Sequence, residues 1–141
     1  MKNLFISYEL AVKLRKKEFS EPCFGYYNAE MRISSPGVLG LQSGLKNYND
    51  TLFVRAWRNG PPEDIISAPL YQQVIDWFRE THDIDIWARG FPITKNRKRY
   101  EPIIYQRSTM TDDCDTFDTD YSSEDYYVAL TGGLEEALKL I

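Results

Sequence analysis

Residues 67–89 have the sequence SAPLYQQVIDWFRETHDIDIWAR, in which the periodicity of the apolar side chains changes part of the way along. The first part carries an apolar stripe at helical spacing, formed by Leu70, Tyr71, Val74, Ile75 and Phe78. From Ile84 onward apolar and polar residues alternate, which is typical of a strand with one buried face. The stretch therefore predicts a helix followed directly by a strand.

The limits of this helix follow from its flanking residues. Ser67 is predicted to cap the helix, with Pro69 in the first turn, where its missing N–H costs nothing. We expect the helix to end near His82. The alternating segment Ile84 to Arg89 and a second strand, Tyr100 to Gln106, lie on either side of a basic turn, so the two are predicted to form a β-hairpin.

An earlier helix is predicted to begin at Ser7, whose hydroxyl can cap free backbone amides. Glu9 falls in its first turn, where the helix dipole favours a negative charge. Leu10, Ala11 and Leu14 then lie on one face, and basic residues occupy the remainder. This segment has the pattern of an ordinary amphipathic helix with a solvated basic face.

Between these two helices the sequence is typical of strands and turns, because short aromatic and β-branched runs are broken by Gly, Pro, Asn and Ser. Strands are predicted near Cys23 to Tyr27, Met31 to Ser34 and Leu52 to Trp57. The glycine-containing stretch from Ser35 to Asp50 is predicted to be an extended loop, and Asn59 to Asp64 a turn.

The C-terminal part begins with the segment Thr109 to Tyr121, which has five aspartates and is predicted to be a solvated loop. Ser122 or Ser123 is expected to cap a last helix. Its apolar face would consist of Tyr127, Leu130, Leu134, Ala137, Leu138 and Ile141. The pair Gly132-Gly133 weakens that helix by about 1 kcal/mol per glycine relative to alanine. The pair would kink the helix, split it, or let another backbone approach closely.

The bulk properties favour one soluble domain. A length of 141 residues is near the commonest domain size, and 43% hydrophobic with 27% charged residues is ordinary globular usage. The predicted fold class is therefore α+β, with a small antiparallel sheet and about three helices packed on one face, in a single domain covering residues 1–141.

Charge and cysteine usage bear on partners and location. The net charge of −4 argues against a surface that grips phosphate backbones as a whole, so any nucleic-acid contact would be local. Cys23 and Cys114 form no CxxC pattern and are expected to be free thiols in a reducing cytosol. Only three apolar residues occur together near the N-terminus, too few for a signal-peptide core or a membrane span. We therefore expect a cytoplasmic protein with no membrane partner.

No familiar catalytic pattern occurs in the sequence. It lacks a glycine-rich phosphate loop, a Gly-x-Ser-x-Gly elbow and a His-Glu-x-x-His helix. His82 is the single histidine, and beside Asp83 it has two interpretations: a base in a cysteine nucleophile system, or a polar histidine at a helix end, which we favour. The sequence therefore predicts a protein that is not an enzyme, with no catalytic residues, no metal site and no cofactor.

Two charged segments are candidate binding surfaces. The acidic run contains Asp112, Asp113, Asp115, Asp118 and Asp120. Together with Glu124 it could hold a hard cation, but a calcium loop starting at Asp113 fails at its fifth and sixth positions, which are Phe117 and Asp118. We favour a solvated loop.

The second segment is the basic turn, which consists of Lys95, Arg97, Lys98 and Arg99 and is followed by Tyr100. Basic side chains with an aromatic ring nearby can hold a phosphate backbone while the ring stacks on a base. The alternatives are an exposed hairpin turn protected by charge, which we favour, and pairing of the basic turn with the acidic stretch from Asp112 to Asp125.

The helix from Ser67 to Glu80, SAPLYQQVIDWFRE, resembles a recurrent helix of short uncharacterised proteins from phages and prophages of Bacteroidota. The stretch from Ser7 through Tyr27 and the closing Leu134 to Ile141 agree with the same proteins in order and spacing. The loop from Ser35 to Asp50 and the acidic run are not covered, and Gly132-Gly133 departs from an otherwise uninterrupted terminal helix. The resemblance implies a phage origin and a compact α+β domain, and no catalytic residues come with it.

We therefore expect a phage or prophage accessory protein that binds a host or phage protein in the host cytoplasm. The ten tyrosines favour binding, because tyrosine adds contact area at low entropic cost. The expected surface combines Trp57, Tyr121 and Tyr126 with the acidic run, which in an inhibitor of a host defence protein would imitate a phosphate backbone. The alternatives are a minor virion or assembly protein, and a nucleotide-signal-binding protein that uses Lys95, Arg97 and Arg99.

Overall fold

The computed structural model describes residues 4–28, 38–50, 52–54, 65–107, 114–118 and 122–141, with Val38 and the segment 114–118 described by their backbone alone. The helices are α1 (Tyr8–Lys16), α2 (Tyr71–His82) and α3 (Tyr126–Ala137). The strands are β1 (Cys23–Asn28), β2 (Val38–Lys46), β3 (Ile65–Ala68), β4 (Ile84–Thr94), β5 (Arg97–Arg107) and β6 (Cys114–Asp118). They form two three-stranded antiparallel sheets, β2-β1-β3 and β4-β5-β6, which confirms the α+β class.

The chain divides within α2 into two compact units, residues 1–73 and 74–141. In the first unit, α1 contacts β3 and buries Leu10, Ala11 and Leu14, as predicted. The Ser7 hydroxyl caps this helix by accepting a hydrogen bond from the Leu10 N–H at 3.2 Å, which confirms its start.

The predicted loop from Ser35 to Asp50 is wrong over most of its length, because Val38–Lys46 forms β2 against β1. Gly40 shows why a glycine-containing segment becomes a strand here. Its register partner is Tyr26, and a Cβ atom on Gly40 would lie 2.4 Å from the Tyr26 ring. Glycine therefore marks a close contact with an aromatic ring, and not a turn.

The strand predicted from Leu52 to Trp57 is also wrong where the structure describes it. Residues 52–54 are helical, and the Asp50 carboxylate accepts hydrogen bonds from the N–H groups of Leu52 and Phe53 at 2.9 and 3.3 Å. Residues 55–57, the strand from Met31 to Ser34 and the turn from Asn59 to Asp64 lie outside the described residues.

Helix α2 begins at Tyr71, so the prediction that Ser67 caps it is wrong. Ser67 belongs to β3, which was not predicted, and its hydroxyl accepts a hydrogen bond from the Tyr48 N–H at 3.0 Å. The side-chain oxygen of Gln73 instead accepts from the Leu70 N–H at 2.9 Å. Val74, Ile75 and Phe78 are buried and the helix ends at His82, as predicted.

The second unit contains the predicted hairpin, which is longer than expected. Strands β4 and β5 pair from Ile84 with Gln106 to Thr94 with Arg97. The solvated loop predicted from Thr109 to Tyr121 is wrong at Cys114–Asp118, which forms β6 against β5. Backbone pairing requires no apolar side chains, so an edge strand can form from an acidic sequence.

Helix α3 packs on β4 and β5 and runs without interruption through Gly132-Gly133. Its cap is Asp125, which accepts hydrogen bonds from the N–H groups of Tyr127 and Val128 at 2.8 and 3.1 Å. The prediction that Ser122 or Ser123 caps the helix is therefore wrong, because the nearer carboxylate takes that role. The predicted apolar face is buried at Leu130, Leu134, Ala137 and Leu138 and half-buried at Tyr127 and Ile141.

Within the described ranges, no helix combines the length and apolar character needed to cross a membrane.

Candidate functional site

An open cleft of about 430 Å³ lies at the tip of the β4–β5 hairpin, and we call it the hairpin cleft. Its lining consists of Pro92, Thr94, Lys95, Asn96, Arg97, Lys98, Tyr100 and Glu124. The last rungs of the hairpin create it, because Pro92 pairs with Lys98 and Thr94 pairs with Arg97, with an irregular register between the two rungs. The strands therefore carry the basic turn out to the end of the sheet.

The basic side chains at this tip are exposed to solvent. Lys95, Arg97 and Lys98 line the cleft, and Arg99 follows on the same strand opposite Phe91. Within the part of the chain that the structure describes, no ion pair is found for Lys95, Lys98 or Arg99. The tip therefore carries three exposed cationic groups besides Arg97.

Among the described residues, Arg97 has an acidic partner in Glu124. Its Nη2 donates to Oε1 of Glu124, and its Nε donates to Oε2 of the same carboxylate at 3.4 Å. The hydrogen bond from Arg97 lowers the pKa of Glu124, and the charges of Arg97 and Arg99 lower it further. Glu124 therefore stays ionised beside two guanidinium groups.

Tyr100 is the tyrosine in the cleft lining, and Tyr126 lies next to it. The Tyr100 backbone exchanges two hydrogen bonds with Ser123, at 2.6 and 3.0 Å, which holds residues 122–125 against β5. The Tyr100 ring meets the Tyr126 ring edge to face, with centroids 5.5 Å apart. Gly90 lies opposite Tyr100, and a Cβ atom there would come within 3.1 Å of the Tyr100 ring. The ring is thus confined on two sides.

The structure brings together part of the predicted site. Lys95 and Arg97 line the cleft, Arg99 lies beside it, and Tyr126 contacts Tyr100, which is itself in the lining. Asp115 and Asp118 lie in β6, opposite Gln106 and Ile103. The remaining predicted site residues lie outside the described residues: Trp57, Asp112, Asp113, Asp120 and Tyr121.

Glu124 had two predicted roles: a cation ligand beside the aspartates, and a member of the acidic stretch from Asp112 to Asp125 that would pair with the basic turn. It pairs with Arg97. One part of the predicted pairing between the basic turn and the acidic stretch is therefore present. Among the described residues, no group of three acidic, histidine or cysteine side chains is placed to hold a metal ion.

His82 is the last residue of α2, which agrees with the favoured interpretation of a polar histidine at a helix end. Its ring meets the Trp77 ring edge to face, with centroids 4.7 Å apart.

Cys23 is a buried free thiol at the start of β1. Its Sγ donates to the Glu21 carbonyl oxygen at 3.3 Å, and burial raises the pKa of the thiol to about 12. Since the thiolate is the reactive form, we expect Cys23 in a Cys114→Ser variant to react with a thiol reagent about a thousandfold more slowly in native than in urea-unfolded protein. Equal rates in the two states would contradict this burial.

The same pKa shift affects stability at alkaline pH. The folded state holds the Cys23 proton more tightly than the unfolded state does. The resulting contribution to the free energy of unfolding is fully present below the ordinary pKa of 9.0 and is lost as the pH rises toward about 12. A Cys23→Ala variant should therefore show less alkaline destabilisation over that range than the wild-type protein.

No protein-family model, no curated protein and no solved structure matches the chain. Its class is therefore defined by its own structure, as an α+β protein with two antiparallel sheets and a basic cleft, lined by Tyr100, at a hairpin tip.

Proposed function

We propose that the protein acts by binding, and not by catalysis, and that the hairpin cleft takes the phosphate groups of a nucleotide. The observation that carries the proposal is the convergence of Lys95, Arg97 and Lys98 in one cleft with the Tyr100 ring. A volume of about 430 Å³ lies within the usual range for small-molecule sites, roughly 300–1,000 Å³.

The basic residues supply two kinds of phosphate contact. The guanidinium of Arg97 already presents two N–H groups to both oxygens of a carboxylate, which is the geometry in which arginine also binds a phosphate. Lys95 and Lys98 add point charges on the same lining. An anion with several charges can therefore be neutralised from more than one side.

The tyrosines supply the surface for a base. Tyr100 lines the cleft, and Tyr126, with 39% of its surface exposed, meets it edge to face. Bases stack on such rings without sequence preference. A nucleotide that places its phosphates at the turn and its base against these rings would use both parts of the lining.

The net charge of −4 favours a compact ligand over a long duplex. A protein that neutralises many duplex phosphates needs a wide basic surface, whereas the hairpin cleft concentrates its positive charge at one tip. The phosphate could belong to a free nucleotide or to a single-stranded nucleic acid, and the choice of probe distinguishes the two.

The proposal is tested by calorimetric titration of the full chain with four probes: ATP, tripolyphosphate, adenosine and a short single-stranded oligonucleotide. We expect ATP to bind more tightly than tripolyphosphate, because it adds base stacking, and adenosine to bind weakly because it lacks phosphate. An oligonucleotide that binds more tightly than ATP would assign the site to nucleic acid. Equal affinity for ATP and adenosine would contradict a phosphate site.

The matched pair of variants is Arg97→Gln and Arg79→Gln. Both lose one exposed, ion-paired arginine, with 59% and 51% side-chain exposure, but Arg79 pairs with Asp76 and Asp85, away from the cleft lining. We expect Arg97→Gln to weaken ATP binding by about tenfold, the loss expected for a bidentate charged contact, and Arg79→Gln to leave it nearly unchanged. Equal losses would show that net charge, and not the cleft, determines binding.

A phage or prophage origin of the protein is also part of the proposal. The resemblance to phage and prophage proteins is the support for an accessory role, in which sequestering a nucleotide signal would serve the phage in the host cell. Inhibition of a host defence protein through Asp112 to Asp120, and a minor virion or assembly role, remain predictions. Binding of the protein to purified virions would support the last of these.

A further inference from the structure

Glu124 occupies one wall of the hairpin cleft, with both carboxylate oxygens toward Arg97. A phosphate bound by arginine presents two oxygens to the guanidinium in the same way. The carboxylate of Glu124 therefore takes the place at Arg97 that a bound phosphate would need. Ligand and Glu124 cannot hold the same edge of the guanidinium together.

The backbone on both sides of Glu124 is held in place. Ser123 exchanges two hydrogen bonds with Tyr100, and its hydroxyl accepts a third from the Asp125 N–H at 3.0 Å. Asp125 in turn caps α3. A short, fixed connection gives an attached group a high effective concentration at its partner, so Glu124 returns to Arg97 whenever the guanidinium is vacant.

The contact between Glu124 and Arg97 is also easily broken. Their side chains are 53% and 59% exposed, and ion pairs in contact with solvent contribute little to stability. An incoming anion of higher charge can therefore replace the carboxylate without disturbing the fold.

We propose that Glu124 is a built-in competitor, which holds Arg97 in the empty cleft and is displaced when a phosphate binds. This inference rests on the proposed function, and it adds a regulation of the same site. Displacement lowers the apparent affinity for every anion by a similar factor, because each ligand first has to break the same contact. Simple repulsion would instead weaken binding more for ligands of higher charge.

The test uses Glu124→Gln, with Glu136→Gln as its control. Glu136 is likewise an exposed carboxylate in an ion pair, with Lys139 at 2.6 Å, so the two variants change the net charge equally. We expect Glu124→Gln to bind both orthophosphate and tripolyphosphate about fivefold more tightly than the wild type, and Glu136→Gln to bind like the wild type. Circular dichroism checks that each variant is folded.

A double-mutant cycle with Arg97→Gln identifies the mechanism. If Glu124 acts by holding Arg97, the gain in phosphate affinity from Glu124→Gln disappears when Arg97 is already replaced. A gain that persists in that background, or one that grows steeply from orthophosphate to tripolyphosphate, would overturn displacement in favour of repulsion.

The two proposals fail in different ways. Equal affinities of Glu124→Gln, Glu136→Gln and wild type, with Arg97→Gln still weaker, would overturn the competitor and leave the phosphate site standing. Absence of phosphate binding in both wild type and Glu124→Gln would overturn both proposals.

Discussion

Replacing Tyr48 with alanine is expected to lower the free energy of unfolding by about 3–5 kcal/mol, the usual cost of removing a large buried ring. Tyr48 is fully buried, with 0% of its surface exposed. Its ring packs against Tyr26, with centroids 5.1 Å apart, and against Phe53 at 5.9 Å. The alanine variant would leave a cavity among these rings in the first unit.

Tyr48→Phe is the matched control, because it keeps the ring and removes only the hydroxyl. That hydroxyl donates to Oε1 of Gln42 at 3.2 Å, so its loss should cost about 1 kcal/mol. Urea unfolding followed by circular dichroism measures both variants. If the alanine variant lost no more stability than the phenylalanine variant, the ring would not be closely packed.

Replacing Gly133 with alanine is expected to destabilise the protein by about 1–3 kcal/mol, even though alanine is the better helix former by about 1 kcal/mol. A Cβ atom on Gly133 would lie 2.6 Å from the Cβ of Pro102 and 3.5 Å from Cγ2 of Ile86. The Pro102 atom belongs to a rigid ring close to the β5 backbone, so helix and sheet would have to separate. Of the three predicted outcomes for the glycine pair, the structure shows the close approach.

Val128→Ala provides the comparison in the same helix. Val128 is 45% exposed, so shortening its side chain to alanine removes little buried surface and should raise stability by a few tenths of a kcal/mol through helix propensity. The two alanine substitutions are thus expected to change the free energy of unfolding, measured in urea, in opposite directions. A Gly133→Ala variant that was also stabilised would contradict the close packing of α3 on β5.

The helices could be predicted because their signal is local. The apolar residues of α1 and α2 recur at helical spacing, and the structure buries Leu10, Leu14, Val74 and Phe78 as expected. The capping residues were harder to predict, because several nearby polar side chains can accept hydrogen bonds from the same backbone N–H groups. Ser7 caps α1 as predicted, whereas Asp125, and not the nearby serines, caps α3.

Strands β2, β3 and β6 could not be predicted, because their cause is not local. Gly40 pairs with Tyr26 of β1, whose ring leaves no room for a side chain at position 40, and the Ser67 hydroxyl in β3 accepts a hydrogen bond from the Tyr48 N–H. Both contacts join residues far apart in sequence. A loop-like composition therefore concealed β2, an acidic composition concealed β6, and β3 was hidden because Ser67 also resembles a helix cap.

The site shows the same division between local and distant signals. Lys95, Arg97 and Arg99 stand out as a dense basic turn, and the adjacent hairpin follows from the alternation around it. The presence of Glu124 at that turn depends on the pairing of Ser123 with Tyr100, which no local pattern records. The basic turn and Tyr100 were thus identified from the sequence, while the contact between Glu124 and Arg97 required the structure.

The most direct test of the account is titration of isotope-labelled protein with ATP, followed by the shifts of the backbone amide signals in NMR spectra. Binding at the hairpin cleft predicts the largest changes at Thr94 to Tyr100 and at Ser123 to Tyr126, with matching changes for tripolyphosphate at the turn. Shifts confined to other parts of the chain, or none at all, would contradict a phosphate site at the tip of the hairpin.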